Sequence, residues 1–377
     1  MTSGGTSQEG PPFRADHVGS LLRPPVLLDA RRRHENGEIG PLQLRAVEDD
    51  AIRDAIKMQH AAGLSSATDG EFRRGSWHMD FIYSLGGVSK SDERLHIKFH
   101  NLAGDLEFSP PALHVDGRIR LDEPIFADHF RFLQSHVDPG VTPKLTIPSP
   151  SMVYYRGGRA AVSEDVYPDL EEFYTDLASA YSAQLAAMAG LGCTYLQLDD
   201  TSLAYLNDPA QRELVARLGG DPDTQHLRNI ATINAALAGR PAGMTVTTHL
   251  CRGNFRSSWV ASGSYEFVAE ALFGELGVDA FFLEYDDERS GGFEPLRFVP
   301  KGKRVVLGLV TTKRPELENP DDLVRRIEEA SRYVDIDQLC LSPQCGFSST
   351  EEGNELRPDD ELRKLELIVS TAARVWG

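Results

Sequence analysis

A histidine and a cysteine, His249 and Cys251, lie two residues apart where an apolar stretch of the sequence ends. The preceding residues, 243–247, are typical of a β-strand, and residues two apart in an extended chain point to the same side. An imidazole and a thiolate would therefore face the same space, as two ligands of one metal ion must. The pair alone is a weak motif, because a buried cysteine beside a solvated histidine would give the same spacing.

Two later strand ends carry matching groups. Residues 281–284 end in the carboxylate of Glu284, and residues 339–346 place the thiol of Cys345 just beyond a strand. One imidazole, two thiolates and one carboxylate suit zinc better than magnesium or calcium, which prefer oxygen ligands. The sequence therefore predicts a zinc site formed by His249, Cys251, Glu284 and Cys345.

The composition limits the classes of function that are open to this chain. Its 377 residues are 41% hydrophobic, which is ample for a large core, and the formal net charge is −18. A strongly acidic chain is a poor partner for nucleic acid or acidic membranes, and no apolar run reaches transmembrane length. Residues 1–12 are expected to form a flexible leader without the apolar segment of a signal peptide. We expect a soluble cytoplasmic protein acting on small molecules; the oligomeric state stays open.

The rhythm of apolar and amphipathic segments predicts eight strands, each followed by a helix or an insertion. The predicted strands are 13–20, 64–68, 144–147, 195–198, 244–248, 280–283, 305–310 and 339–341. The predicted helices are 42–62, 126–136, 164–189, 210–238 with a break at 219–222, 258–276, 320–333 and 359–375. Strict alternation of this kind predicts an α/β fold, a (β/α)₈ TIM barrel covering residues 13–377 as one catalytic domain. The alternative, a doubly wound nucleotide-binding sheet, lacks the glycine-rich motif it would need.

An insertion of about 77–140 separates the second and third predicted strands and is too long for a simple connection. Two alternating segments in it, 95–100 and 112–120, predict a β-ribbon inserted after the second strand. Its role as a lid, a partner surface or part of a substrate site stays open. Before the first predicted helix, the prolines in 23–25 are expected to stop regular structure.

Active sites of TIM barrels lie at the carboxyl ends of the strands, where the candidate metal ligands are also predicted. Glu71 and Asp199 would face the same cavity. They could be ordinary solvated carboxylates of a rim, or they could recognise a substrate ammonium group. The zinc ligands come from three strand ends and not from a local knuckle, which favours a catalytic metal over a structural one. An incoming thiol would lose its proton on binding zinc, and Glu284 is the ligand expected to be displaced.

These residues resemble those of the cobalamin-independent methionine synthases, and most closely the short single-barrel relatives of their C-terminal catalytic domain. The resemblance runs from about residue 13 to 376 and implies a zinc-dependent transfer of a methyl group from 5-methyltetrahydrofolate polyglutamate to homocysteine. It places the zinc ligands on His249, Cys251, Glu284 and Cys345. It places homocysteine on Ser20 in Val18-Gly19-Ser20, Glu71 in Asp69-Gly70-Glu71-Phe72, and Asp199 in Gln197-Leu198-Asp199-Asp200.

Two segments depart from the family pattern. Residues 147–152 lack the tryptophan on which the pterin stacks, and Trp77 or Tyr154 is a candidate replacement. No histidine follows His249, so the general acid that protonates the folate leaving group is assigned instead to Lys313 or His78. These departures concern the methyl donor and leave the activation of the thiol untouched.

The sequence thus predicts an enzyme of methionine biosynthesis, a zinc-dependent homocysteine S-methyltransferase with 5-methyltetrahydrofolate as the expected donor. Alternatives of related chemistry are methylcobalamin as donor, or the opening of an epoxide by coenzyme M. The sulfonate of coenzyme M would need basic residues where Glu71 and Asp199 stand. A third alternative is a non-catalytic barrel with structural zinc.

Overall fold

The computed structural model describes residues 10–101 and 104–377, so most of the predicted leader lies outside the described residues. The strands of the described part are β1 (Ser66–Ala67), β2 (Gly86–Arg94), β3 (Ile97–Asn101), β4 (Gly104–Phe108), β5 (Pro111–Arg120), β6 (Thr142–Pro148), β7 (Tyr195–Asp200), β8 (Thr245–Leu250), β9 (Ala280–Glu284), β10 (Arg304–Val310) and β11 (Leu339–Pro343). A curled parallel sheet contains β1 and then β6 to β11, each strand beside the next in sequence. The predicted parallel α/β architecture is therefore confirmed.

The predicted first strand, 13–20, is a single bridge in the structure, so the sheet has seven strands where eight were expected. Ala15 pairs in parallel with Leu341 of β11. Further along, the N–H of Leu21 donates to the carbonyl of Gly70, just after β1. The segment thus lies between the last and first strands of the sheet. It does not form a regular ladder because the Asp16 carboxylate accepts the N–H groups of Phe13 and His17.

The helices of the described part are α1 (Pro25–Glu35), α2 (Pro41–Ala61), α3 (Met79–Ile82), α4 (Ala127–Gln134), α5 (Met152–Tyr155), α6 (Leu170–Gly190), α7 (Ser202–Tyr205), α8 (Pro209–Arg217), α9 (Gln225–Leu237), α10 (Ala269–Glu275), α11 (Pro320–Ala330) and α12 (Pro358–Trp376). The predicted break at 219–222 separates α8 from α9. The expectation that 23–25 stops regular structure was wrong. Pro25 begins α1, because proline at the first helical position loses no needed hydrogen bond and has a suitable φ.

The predicted helix 258–276 was also wrong in its first half, since only Ala269–Glu275 forms α10. The backbone carbonyl of Arg252 accepts N–H bonds from Val260 and Ala261, which fold that stretch back on the residues after β8. The helix can therefore begin only after this loop, and the loop surrounds the end of the strand that carries His249.

The insertion contains two antiparallel ribbons, β2 with β5 and β3 with β4, where one ribbon was predicted. The predicted partners, 95–100 and 112–120, are in different ribbons. β3 pairs instead with its nearest neighbour in sequence, and Asn101 and Gly104 close that ribbon as facing residues. A short connection closes at a lower entropic cost than a long one, which favours this local pairing.

Apolar side chains of the helices pack against the outer face of the curled sheet and form most of the core. The inner face holds a smaller cluster that includes Phe282. It also encloses Lys144, whose ammonium lies 3.4 Å from the Asp16 carboxylate and 4.2 Å from the ring centroid of Phe282. A buried charge needs such partners. This filled interior forms the floor beneath the strand ends. Within the described residues, no helix is both long and apolar enough to cross a membrane.

Candidate metal centre and substrate cavity

Three strand ends supply the four predicted metal ligands. His249 is the penultimate residue of β8, Cys251 follows that strand, Glu284 ends β9, and Cys345 lies two residues after β11. In the pairing of neighbouring strands, His249 stands beside Asp199 of β7. The parallel sheet brings these side chains to one edge because all its strands end on the same side.

The ligand atoms of His249, Cys251, Glu284 and Cys345 all lie within 4.8 Å of one another. The two sulfur atoms are 3.4 Å apart. Within the described part of the chain, both ring nitrogens of His249 and the Oε2 atom of Glu284 are buried and have no hydrogen-bond partner. Buried polar atoms are rarely left in this state, since each costs free energy. Their convergence fits a metal ion that four protein ligands would hold.

The groups in this cluster strongly shift one another's pKa values. The hydrogen bond with Cys345 and burial both raise the pKa of the Cys251 thiol, whereas the same hydrogen bond lowers the pKa of Cys345 well below its usual range. Burial opposes a charge on His249, but Cys345 together with the carboxylates of Asp199 and Glu284 outweighs this effect and raises the pKa of the imidazole. Burial raises the pKa of Glu284 as well. Two thiols and a carboxylate cannot all ionise here alone, and a divalent cation would remove that conflict.

Arg252 and Tyr265 form hydrogen bonds that hold Glu284 in place. The N–H of Arg252 donates to Glu284 Oε1 at 2.9 Å. The buried Arg252 guanidinium donates to the Glu284 carbonyl and to the Tyr265 hydroxyl, each at 3.0 Å. That hydroxyl also accepts from the Glu284 N–H and donates to the carbonyl of Leu250. Sequence reasoning missed Tyr265, which stands in no motif and fell within a predicted helix.

We expect Tyr265→Phe to weaken metal binding about 10- to 100-fold, the usual effect of losing a group that orients a ligand. The lost hydroxyl would leave Arg252 and the Glu284 N–H with one partner fewer in a buried site. Competition with a chelator of known affinity measures the effect. Tyr285→Phe is the matched control, because in the described structure the buried hydroxyl of Tyr285 has no hydrogen-bond partner. Equal metal affinity in both variants would show that Tyr265 does not support the ligands.

A cavity of about 730 Å³, including the open space at its mouth, lies over the candidate metal ligands. His249, Cys251 and Cys345 line it, whereas Glu284 is not among the described residues that do. Three of the four candidate ligands are therefore within reach of a molecule in the cavity, and the fourth lies outside its wall. A purely structural metal would not need such access.

Glu71 and Asp199 line the same cavity. The Oε1 atom of Glu71 accepts from the Thr146 hydroxyl at 2.7 Å and lies 3.6 Å from Arg74, while its Oε2 atom has no hydrogen-bond partner among the described residues. Asp199 accepts from the amide of Gln197 at 2.7 Å. Burial raises the pKa of both carboxyl groups, that of Asp199 to about 7. A cation bound between them would relieve the cost of their burial.

Ser20 also lines the cavity, in close contact with the segment that carries Cys345. Its carbonyl accepts the N–H of Phe347 at 2.9 Å. A Cβ atom on Gly346 would lie only 1.9 Å from the Ser20 hydroxyl oxygen, so a side chain there would displace the serine. Glycine at 346 thus allows the residue after the candidate ligand Cys345 to pack against Ser20.

The two candidate general acids lie in different places. His78 lines the cavity, and its ring stacks on Trp77 with centroids 4.3 Å apart. Burial, and then the charge of Arg156, lowers the pKa of His78 to about 3, so the ring is neutral near pH 7. Lys313 is buried beside the metal ligands, where its charge opposes the effect of burial on the pKa of Glu284. Its ammonium has no hydrogen-bond partner within the described chain.

Several cavity residues carried no signal in the sequence. Phe99 of β3 and Phe108 of β4 line it from the inserted ribbon, and Phe255, Tyr205 and Arg156 line it from loops and short helices. The alternation of 95–100 indicated a strand with an apolar face but not what that face covers. Of the two candidate stacking residues, Trp77 lines the cavity, whereas Tyr154 packs against aromatic rings of α6.

Residues 15–364 match the family described as the catalytic domain of the cobalamin-independent synthases. The chain belongs to this family, and the resemblance found in the sequence is confirmed. The match covers almost all of the described structure, including every candidate metal ligand.

Three relatives illustrate the range of similarity. The uncharacterised protein YxjH of Bacillus subtilis is 46% identical over 370 residues, covering 98% of this chain and 96% of its own. A solved structure from Listeria monocytogenes, named as a candidate vitamin-B12-independent methionine synthase, is 37% identical with a TM-score of 0.77 and covers 97% of this chain and 98% of its own. A B12-independent methionine synthase from Shewanella sp. W3-18-1, solved with selenomethionine, shares the fold at 19% identity and a TM-score of 0.71, covering 95% and 96%.

Proposed function

We propose that this protein is a zinc-dependent S-methyltransferase that converts homocysteine to methionine. The observation that carries the proposal is the juxtaposition of two sites in one cavity. A cluster of two thiols, an imidazole and a carboxylate lies beside a pair of buried carboxylates, Glu71 and Asp199. The first suits a metal that binds sulfur, and the second suits an ammonium group. An amino acid with a thiol side chain has both features.

Zinc is the proposed metal because the ligand set is rich in sulfur and includes one imidazole. His249, Cys251, Glu284 and Cys345 would hold it. When bound, zinc supplies a Lewis acid at which a substrate thiol loses its proton at neutral pH. Glu284, outside the cavity wall and the least sulfur-like ligand, is the one we propose to give way to the substrate.

Homocysteine would be oriented by the chain itself. Glu71 and Asp199 would bind its ammonium group, with Ser20 on the same wall of the cavity. The selenomethionine bound by the Shewanella relative supports an amino acid of this size as ligand. Coenzyme M carries a sulfonate in place of the ammonium group, and two buried carboxylates would repel it.

Transfer would form a bond between the substrate sulfur and the methyl carbon as the bond from that carbon to the donor's leaving atom breaks. The leaving atom keeps the electron pair and takes up a proton. Holding the two reactants together lowers the entropic part of the barrier. His78 and Lys313 are the proposed proton sources. His78 lies on the cavity wall, and its neutral ring would relay a proton by taking one at one nitrogen while giving one from the other, whereas the ammonium of Lys313 can give its proton directly. The donor implied by the family is 5-methyltetrahydrofolate.

The proposal includes the architecture around the site. We propose that residues 13–377 form one (β/α)₈ barrel domain, whose first strand is the bridged segment around Ala15. The position of that segment between β11 and β1 supports closure of the barrel. The insertion at about 77–140 would cover the carboxyl ends of the strands.

A product assay on metal-analysed protein tests the proposed function. Homocysteine is supplied with 5-methyltetrahydrofolate, as mono- and polyglutamate, in one reaction and with methylcobalamin in another. We expect about one zinc per chain and methionine from the folate reaction. Methionine from methylcobalamin alone would keep the thiol half of the proposal and replace the donor. A protein without zinc, or zinc-loaded protein that makes no methionine with either donor, would contradict it.

A further inference from the structure

A buried arginine, Arg23, lies behind the wall of the cavity that carries Glu71. It is not among the described residues that line the cavity. Its Nη2 atom donates to the carbonyls of Glu71 and Arg74, at 3.1 Å and 2.8 Å. Its Nη1 atom donates to the carbonyl and the hydroxyl of Ser348 and to the carbonyl of Thr350, at 3.0 Å, 2.8 Å and 3.1 Å. Arg23 therefore joins the loop after β1 to the loop after β11.

These two loops and the segment of Arg23 itself form one wall of the cavity. Ser20, Glu71 and Ser349 line the cavity, and each comes from a different one of the three segments. The loop of Glu71 also pairs directly with the loop of Ser349, whose carbonyl accepts the N–H of Trp77 at 3.0 Å. Arg23, three residues after Ser20, contacts both of the other segments. It is therefore placed to set how the parts of this wall lie relative to one another.

Glu71 depends on such support because its backbone is in the left-handed region, with a φ of +62°, which residues other than glycine rarely adopt. Its N–H donates to the Asp69 carboxylate at 2.9 Å. Its carbonyl accepts the N–H of Arg74 at 3.0 Å as well as the Arg23 guanidinium. Hydrogen bonds on both sides of its Cα atom thus fix the direction in which the Glu71 side chain leaves the backbone.

Stability alone does not account for an arginine at position 23. Burial lowers the pKa of Arg23 to about 10, so the group is still charged near neutral pH. A buried charge is costly, and an apolar side chain of similar size is often at least as stable in such a place. The guanidinium differs from other side chains in being a planar fork with a fixed distance between its terminal nitrogens. That geometry suits a residue that sets the distance between two loops.

We propose that Arg23 is a positioning residue for recognition of the amino group of the substrate. Its two terminal nitrogens hold the loop of Glu71 at a fixed distance from the segment that follows the candidate ligand Cys345. The Glu71 carboxylate is thereby aimed at the ammonium group of a molecule whose thiol lies beside Cys345. This inference rests on the proposed function, from which it takes the role of Glu71.

Titration calorimetry on zinc-loaded protein tests the inference with two thiols, homocysteine and 4-sulfanylbutanoate, which lacks the amino group. The wild-type protein should bind homocysteine at least about tenfold more tightly, because hydrogen bonds between charged groups are the stronger kind. Arg23→Gln should lower that preference at least about threefold and leave the affinity for 4-sulfanylbutanoate within about twofold. Arg23→Lys should lose as much of the preference, since it keeps the charge without the fork.

A double variant shows whether Arg23 acts through Glu71. Glu71→Gln should itself lower the preference for homocysteine, because it removes the charge of the carboxylate. Adding Arg23→Gln to Glu71→Gln should then change the preference by less than about twofold, since two residues that act as one unit do not have additive effects.

Arg73→Gln is the matched control. Arg73 belongs to the same loop as Glu71, but its buried guanidinium pairs with the carboxylates of Glu48 and Asp49 in α2. This variant should keep the wild-type preference for homocysteine. Ser348→Ala removes one acceptor of Arg23 and should lower the preference at least about twofold, the effect of a modest hydrogen bond. It tests the inference even if Arg23→Gln does not fold.

A preference for homocysteine that survives in Arg23→Gln would overturn the inference and leave the proposed function standing. Equal weakening of both thiols, a full preference in Arg23→Lys or a further loss in the double variant would also overturn it. If Arg23→Gln does not fold, an unchanged preference in Ser348→Ala would have the same meaning. Equal binding of the two thiols by the wild-type protein would instead contradict the proposed role of Glu71, and the inference would fail with it.

Discussion

Cys251→Ala is expected to lose the metal and to reduce turnover by more than about a hundredfold. Loss of a residue that only orients a metal ligand reduces activity by about 10- to 100-fold, and loss of a ligand itself should cost more. The thiol supplies one of four ligands whose atoms lie within 4.8 Å, and alanine offers nothing in its place. The remaining thiol, Cys345, would lose the hydrogen bond that lowers its pKa. Metal analysis after gel filtration and a methionine assay measure the two effects.

The control for this variant is Cys193→Ala. Cys193 is also buried, but its thiol donates to the carbonyl of Tyr195 and is not a member of the His249, Cys251, Glu284 and Cys345 cluster. We expect it to keep the metal and the activity. Circular dichroism of both variants separates loss of chemistry from loss of fold. If Cys251→Ala unfolds while Cys193→Ala does not, the metal is structural, and if Cys251→Ala keeps both metal and turnover, the cluster is not the site.

Asp199→Asn is expected to lower kcat/KM for homocysteine by about tenfold to a hundredfold. A hydrogen bond to a charged group contributes about 1.5–3 kcal/mol, and each 1.4 kcal/mol is a factor of ten. The substitution keeps the shape of the side chain and removes the charge that would hold the ammonium group. Glu71→Gln should act in the same direction, because its carboxylate faces the same cavity.

The decisive comparison uses 4-sulfanylbutanoate, which is homocysteine without its amino group. The wild-type enzyme should prefer homocysteine strongly, and Asp199→Asn should lose most of that preference. Asp165→Asn, at an exposed carboxylate, is the control and should leave it unchanged. A variant at Asp199 that is slower with both thiols by the same factor would show that this carboxylate does not recognise the amino group.

The candidate metal site could be predicted from sequence because its residues follow strands that are easy to recognise. An apolar run before His249, and similar runs before Glu284 and Cys345, fix where each side chain emerges. In a parallel sheet those ends must meet on one edge, so the convergence follows from topology without any knowledge of loops. The bounds of β8, β9 and β11 differ from the predicted strands by only a few residues.

The surroundings of that site could not be predicted, because they depend on contacts between segments distant in sequence. Nothing local to Phe99 indicates that it contacts Phe255, and nothing local to Arg252 indicates that it is buried beneath the cluster. The missing first strand has a similar origin. Two of its N–H groups, those of Phe13 and His17, donate to the side chain of Asp16, and a hydrophobic pattern does not show whether an N–H will pair with a side chain or with a neighbouring strand.

The Asp16 carboxylate accepts backbone N–H groups that would otherwise pair with a neighbouring strand. The molecule therefore has one well-connected part and one part with few backbone hydrogen bonds. From β1 round to β11 the sheet is continuous, and the strands carrying His249 and Glu284 are inside it. The segment with Ser20 lies between β11 and β1 and is joined to them through one bridge and a few single hydrogen bonds. Amide exchange should thus begin along this seam. Two of the candidate ligands, His249 and Glu284, would thus be held rigidly, while the wall of the cavity formed by Ser20 could move.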